Sequence, residues 1–285
     1  MTGAPYWFEA AVATPATVGQ IVVDGTPISF RYWGDSGRAS HDLVLVHGGG
    51  AHARWWDHLA PLLAVDRRVV AIDLAGHGDS GHRATYSLES WADQLAAAIA
   101  ASGVRDRPVV AGHSMGGMIT AVLARRGAPE LAGAIVIDSP IEPSGPGAPT
   151  RAEADSPSFG NARRYPSAAA AVARFRPIPA QEMLPYVATH VAETSVREVD
   201  GGWTWKFDPA FVGFTGNVPR TLDGLSCPVA FVAGERGILS LEAREALDAS
   251  AQVAVVEVPD SGHAIMLDQP LALVLALRAI LAVWS

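Results

Sequence analysis

Residues 112–116 read Gly-His-Ser-Met-Gly, directly after the apolar run Val109-Val110-Ala111 and before a helix-like stretch. A serine hydroxyl is a weak nucleophile at neutral pH and gains strength only when a base takes its proton. A sharp strand-to-helix turn would force Ser114 to positive φ and push its side chain out at the end of the strand. Residues two positions away crowd such a turn and must be small, as Gly112 and Gly116 are. The helix that follows aims unpaired N–H groups at the same point, so the Met115 N–H is placed to bind an oxyanion. This spacing predicts acyl transfer through Ser114.

The base must come from nine histidines. His263 lies in a Ser-Gly-His loop after the last strand-like run, which would bring it to the same end of a sheet as Ser114. His113 flanks the serine, and its side chain is expected to point away, although its position makes it a pocket candidate. His47 and His77 are expected to be structural hydrogen-bonding groups.

Elements of two kinds must position these residues. Apolar runs at 43–47, 68–73, 108–113, 133–138, 228–234 and 252–258 suit strands buried on both faces. Before them, "IVV" and "PISFRYW" form a hairpin pattern around Asp-Gly-Thr. Helix-like stretches separate the runs; one starts at Ser87, a good cap, although its Ser-x-x-Ser spacing falls short of a capping box. This alternation predicts an α/β fold: a mostly parallel, doubly wound sheet of about eight strands with helices on both faces.

The alternation breaks after the sixth run of the sheet. Residues 139–158 are rich in Pro, Gly and Ser; short helical patterns follow, and then "GGWTWKFDP". The expected organisation is a core of residues 1–140 and 221–285 with a helical lid, 141–220, inserted after the sixth strand. Trp203 and Trp205 in the lid, with Trp55 from "AHARWW", are candidates for an apolar pocket wall.

The chain has 285 residues, 49% hydrophobic and 18% charged, with a formal net charge of −8. That charge repels phosphate backbones and argues against nucleic acid as a partner. The single cysteine, Cys227, permits no internal disulfide and no cysteine metal site. The N-terminus lacks the pattern of a signal peptide, and the apolar stretch 271–285 is too short to span a bilayer and contains Arg278. A cytoplasmic monomer or homodimer that does not bind membranes is the expectation.

Four segments together resemble the α/β-hydrolase fold superfamily over nearly the whole chain. "LVLVHGGG" (43–50) resembles its His-Gly oxyanion loop, and "DLAGHGDS" (73–80) its D-x-x-G-x-G-x-S segment. "GHSMGG" is similar to its nucleophile elbow, and "SGHAIMLDQP" (261–270) to its histidine loop. The resemblance implies an oxyanion hole formed by the backbone N–H groups of Gly49 and Met115, with no metal and no cofactor.

The resemblance also places a catalytic acid at the end of the penultimate strand. There the chain reads Gly234-Glu235-Arg236-Gly237, with glycine at the usual position. Two carboxylates remain. Glu235 is in that loop but two residues early, beside Arg236, which could hold it in a surface ion pair. Asp138 ends the apolar run 133–138, where some relatives take their acid. A charge ending so apolar a run needs a partner, which favours Asp138 over Glu235. The expected activity is hydrolysis of a small apolar or aromatic ester or lactone. The same motifs fit a C–C bond hydrolase or a cofactor-free perhydrolase, and the vacant acid position leaves open a non-catalytic ligand receptor.

Overall fold

A computed structural model describes residues 3–140, 163–216 and 221–284. The chain opens with α1 (Tyr6–Ala13), which the sequence reading missed; it is two turns long and buries only Phe8 and Ala11. A hairpin follows, β1 (Thr17–Val23) and β2 (Thr26–Trp33), turning at Asp24-Gly25 with φ of 47° and 76°. Positive φ at both central residues matches the right-handed strand twist that a two-residue hairpin requires.

Next come β3 (Leu43–Val46), α2 (Ala60–Leu63), β4 (Val69–Ile72), α3 (Leu88–Ala101), β5 (Val109–His113), α4 (Met115–Arg126) and β6 (Gly133–Ile137). All residues of β3, β4, β5 and β6 are buried, as continuous apolar runs predict. The run at 252–258 departs from that expectation: it lies on an edge strand, where Ala254, Val255 and Glu257 are exposed. At the head of α3 the capping box is complete: Ser87 accepts from the Ser90 N–H, and the Ser90 hydroxyl accepts from the Ser87 N–H. A serine hydroxyl thus takes the place of the usual Glu or Gln, which corrects the sequence reading.

The excursion after β6 contains α5 (Ala168–Val172), α6 (Pro185–Thr194) and a small antiparallel hairpin, β7 (Val196–Val199) with β8 (Gly202–Trp205). The rest of the insertion expected at 141–220, namely 141–162 and 217–220, lies outside the described residues. The chain returns through β9 (Val229–Arg236), α7 (Leu241–Asp248), β10 (Val253–Gly262), α8 (Ile265–Asp268) and α9 (Pro270–Val283). No described helix is long and apolar enough to cross a membrane.

The eight-stranded sheet runs β1-β2-β4-β3-β5-β6-β9-β10. Its β1–β2 and β2–β4 pairings are antiparallel, and all others are parallel. Side chains alternate between its faces. Leu43 and Leu45 join one apolar cluster with Trp56, while Val44 and Val46 join another with Trp91. The chain lays β4 on one side of β3 and β5 on the other. In open α/β sheets such a reversal leaves a crevice beyond the carboxyl ends of the strands. His47, Ser114, Asp138, Gly237 and His263 all follow carboxyl ends of parallel strands.

Candidate active site

Between β5 and α4 stands one residue, Ser114, with φ 53° and ψ −120°. The turn is as tight as the sequence predicts. A Cβ on Gly116 would lie 2.6 Å from the carbonyl oxygens of Val46 and His47, and one on Gly112 would strike the Gly116 carbonyl and the Thr120 hydroxyl. The turn is also tied to β6: the Ser114 N–H donates to the Ile137 carbonyl (2.9 Å), and the Ser139 hydroxyl donates to the Ser114 carbonyl (2.8 Å).

The His47–Gly50 loop packs against this turn. A Cβ on Gly48 would sit 3.1 Å from Ser114 Cβ, and one on Gly49 would sit 2.9 Å from the Phe211 ring. Glycine here allows close approach of backbone to whatever occupies the crevice. Met115 is the first residue of α4, so its N–H has no acceptor in a preceding helical turn. His47 is a structural group, donating through Nδ1 to the Gly48 carbonyl (2.7 Å) and accepting through Nε2 from the Leu74 N–H (3.1 Å). Burial pushes its pKa down to about 4. His77 is likewise buried, with Nδ1 on the Ala75 carbonyl at 3.2 Å.

His263 follows β10 and faces Ser114. Its Nε2 accepts from the Ser114 hydroxyl at 3.1 Å, and its Nδ1–H donates to Asp138 Oδ2 at 2.7 Å. Asp138 is fully buried just beyond β6 at φ 39°, a left-handed conformation that Asp tolerates better than most residues. Its carboxylate is received by the end of β9 and the loop after it. The Gly234 N–H donates to Oδ1 (3.1 Å) and the Ile238 N–H to Oδ2 (3.0 Å).

That arrangement explains Gly237. A Cβ there would lie 2.6 Å from Asp138 Oδ2 and closer still to Oδ1. The position where the resemblance implies an acid is filled by a carboxylate reaching over from the neighbouring strand, and only glycine leaves room for it. Glu235 is exposed and accepts from the Asp260 N–H at 2.6 Å. Arg236 pairs with Asp260 (3.5 Å) rather than with Glu235.

His113 departs from expectation. Its ring does not point away from Ser114; it lies 4.6 Å from the His263 ring, borders the cavity, and donates through Nε2 to the His263 carbonyl at 3.0 Å. Burial holds its pKa well below the ordinary value, so it packs as a neutral prop for the His263 loop.

A second serine–histidine pair lies nearby: His52 Nε2 is 2.8 Å from Ser195 Oγ. Its proton pattern differs from that of Ser114. The Ser195 hydroxyl gives its own hydrogen to the Val191 carbonyl (2.6 Å), and His52 Nδ1 accepts from the Arg54 N–H (3.3 Å). His52 therefore carries its hydrogen on Nε2 and donates to Ser195. Such a pair fixes α6 to the core and cannot deprotonate the serine.

A cavity of about 340 Å³ opens above Ser114 and His263. Trp55 and Trp205 both line it, with Phe175 between them at ring distances of 5.9 and 6.1 Å. Trp56 is fully buried in the core instead. Trp203 does not line the cavity; it forms a two-bond bridge to Tyr165 through its backbone, 2.8 Å each way. Tyr165, Phe175 and three arginines, at 163, 174 and 176, are lining residues that sequence reasoning missed. They carry no motif and lie in the excursion, where no regular period orients side chains.

Gln181 was missed for the same reason. Its amide accepts from the Ala264 N–H (2.7 Å) and donates to the Ala264 carbonyl (3.2 Å) and to Asp268 (3.0 Å). Asp268 in turn accepts from the Gly262 N–H at 2.6 Å. The residues on both sides of His263 are therefore clamped.

The family model described as the alpha/beta hydrolase family matches residues 43–277. The chain is 28% identical over 290 residues to the esterase Rv0045c of Mycobacterium tuberculosis, covering 96% of this chain and 92% of that one. The solved structure of that esterase superposes with a TM-score of 0.72 at 26% identity, over 97% of this chain and 96% of the other. A stretch of 93 residues is 38% identical to the pimeloyl-[acyl-carrier protein] methyl ester esterase of Vibrio atlanticus, spanning 33% of this chain and 34% of that protein.

Proposed function

Since this chain belongs to the alpha/beta hydrolase family, we propose that it is a serine esterase, cleaving a carboxylic ester or lactone through an acyl-enzyme. The observation that carries the reading is the unbroken line from Asp138 Oδ2 to His263 Nδ1 (2.7 Å) and from His263 Nε2 to Ser114 Oγ (3.1 Å). The esterase relatives at 28% and 38% identity support it.

Ser114 Oγ attacks the carbonyl carbon while His263 Nε2 takes its proton. Asp138 holds the imidazole with its hydrogen on Nδ1 and stabilises the imidazolium that forms. The Gly49 and Met115 N–H groups receive the developing oxyanion. The tetrahedral species collapses as His263 returns the proton to the departing alkoxide, which leaves as the alcohol. A water then gives its proton to His263, attacks the acyl carbon and releases the acid with Ser114 restored.

The residues of 163–216 act in this reading as a cap that shapes the acyl and alcohol subsites with Phe175 and Trp205. The receptor alternative rested on a vacant acid position, and the Asp138 carboxylate in the loop of Gly237 removes its motive. The test is p-nitrophenyl butyrate hydrolysis with fluorophosphonate labelling. Wild type is expected to turn over and to label at Ser114, and Ser114→Ala to lose on the order of 10⁶ in kcat. A folded wild type that neither labels nor hydrolyses would overturn the reading.

A further inference from the structure

The cavity above Ser114 has an uneven charge. Arg163, Arg174 and Arg176 line it, and among the described residues no Asp or Glu does. This stands out on a chain with 29 acidic residues against 21 basic ones. Among the described residues no carboxylate forms an ion pair with any of the three. Other arginines are matched, among them Arg31 and Arg54 with Asp57, Arg126 with Asp93, and Arg236 with Asp260, although Arg125, Arg164 and Arg278 donate to carbonyls instead. Arg176 donates once to the Phe175 carbonyl (2.5 Å) and, with five N–H groups, keeps donors for another partner.

These arginines also border the apolar wall. Arg174 and Arg176 flank Phe175, whose ring packs between Trp55 and Trp205. A ligand lying along that wall from Ser114 would present its far end to guanidinium groups. A guanidinium matches a carboxylate or phosphate with paired N–H donors, which a neutral chain end cannot satisfy.

Resting on the esterase reading, we propose that the substrate is an ester with an apolar chain whose far end carries an anion, received by Arg163, Arg174 and Arg176. Where the anion is on the acyl half, that half leaves the enzyme with one more negative charge than the ester had, as water cleaves the acyl-enzyme and the new acid gives its proton to solvent.

Three p-nitrophenyl esters of equal chain length test this: mono-p-nitrophenyl suberate, its terminal amide, and an analogue ending in a phosphate monoester. The expected result is a kcat/KM about tenfold higher for an anionic ester than for the amide, the order of one charge-assisted hydrogen-bonded pair. That ratio should shrink in 0.5 M sodium chloride and collapse towards one in Arg174→Ala/Arg176→Ala. The arm that shows the preference identifies the anion as carboxylate or phosphate. Equal rates for all three esters, or a preference that survives both salt and the double substitution, would overturn the inference while leaving the esterase reading intact. No turnover of any of them would overturn both. Both arginines are exposed; should the double variant nevertheless fail to fold, the wild-type ratio and its salt dependence decide.

Discussion

The sheet core and the excursion at 163–216 both reach the crevice, but they are built on different rules. The core delivers Ser114, Asp138 and His263 at the ends of three parallel strands, two buried and one at the sheet edge, where backbone register sets each position within the sheet. The excursion delivers Tyr165, Phe175, Trp205 and three arginines from short helices, a small hairpin and loops. It shares the core's apolar cluster through Phe175, Val187 and Val191 and is hydrogen-bonded to the core at many points, among them these. The Asp208 N–H donates to the Gly76 carbonyl (2.7 Å), the Gly78 N–H donates to the Lys206 carbonyl (2.8 Å), and Gln181 clasps Ala264. In the proposed reading the core carries out the bond-breaking, and the excursion selects the bond.

Substitutions in the core should therefore act on kcat. The sharpest is Asp138→Asn, which removes the charge and leaves His263 in the wrong tautomer. A loss on the order of 10³–10⁴ in kcat is expected from steady-state hydrolysis of p-nitrophenyl butyrate. Activity near wild type would break the comparison by taking Asp138 out of the relay. Gly237→Ala is next, and its target is geometry. The added methyl must displace the Asp138 carboxylate, and a misplacement of about 1 Å costs on the order of 10² in kcat.

Gln181→Ala tests the mooring between the regions. Losing its clamp on Ala264 should lower kcat about tenfold with little change in KM, because it acts through His263 and touches no substrate. A change confined to KM would move Gln181 into the substrate wall.

The smallest effect per group is electrostatic and lies in the core. His47, His52, His58, His77 and His113 are buried, and burial depresses the pKa of each, to about 4 for His47 and His58. An unfolded imidazole takes a proton near pH 6.5. Below that the unfolded chain binds protons that the folded one refuses, so stability is full above about pH 6.5 and falls as pH drops towards 4. Asp73 opposes this with one proton, because burial raises its pKa to about 6. Melting temperature followed from pH 7 to 4.5 should fall steadily, and a flat profile would contradict neutral burial of these rings.

Legibility followed the same division. Continuous apolar runs announced β3, β4, β5 and β6, because burial on both faces leaves no room for polar residues; the run that became β10 is a strand but at the edge, with one face open. The elbow announced Ser114, because its glycines are sterically required. Asp138 could be named because a carboxylate closing such a run has to be paired. The role of Gly237 could not be read: its reason is a collision with a residue 99 positions away in sequence. His113 was misjudged because its ring is turned by the His263 carbonyl, a partner from another strand. In the excursion the tryptophans drew attention as a pair, and alternation along β8 would put both on one face, yet only Trp205 lines the cavity.

The meeting of Asp138 and Gly237 also constrains how such a site can change over generations. One point in space is reachable from two strand ends, and a chain could supply its carboxylate from either. The two solutions exclude each other: with aspartate at both positions, side chains would overlap and two carboxylates in one dry pocket could not both stay ionised. With aspartate at neither, the imidazole loses its partner. A lineage moving from one arrangement to the other has to pass through a poor catalyst, so the choice of strand, once made, is expected to persist as a mark of descent.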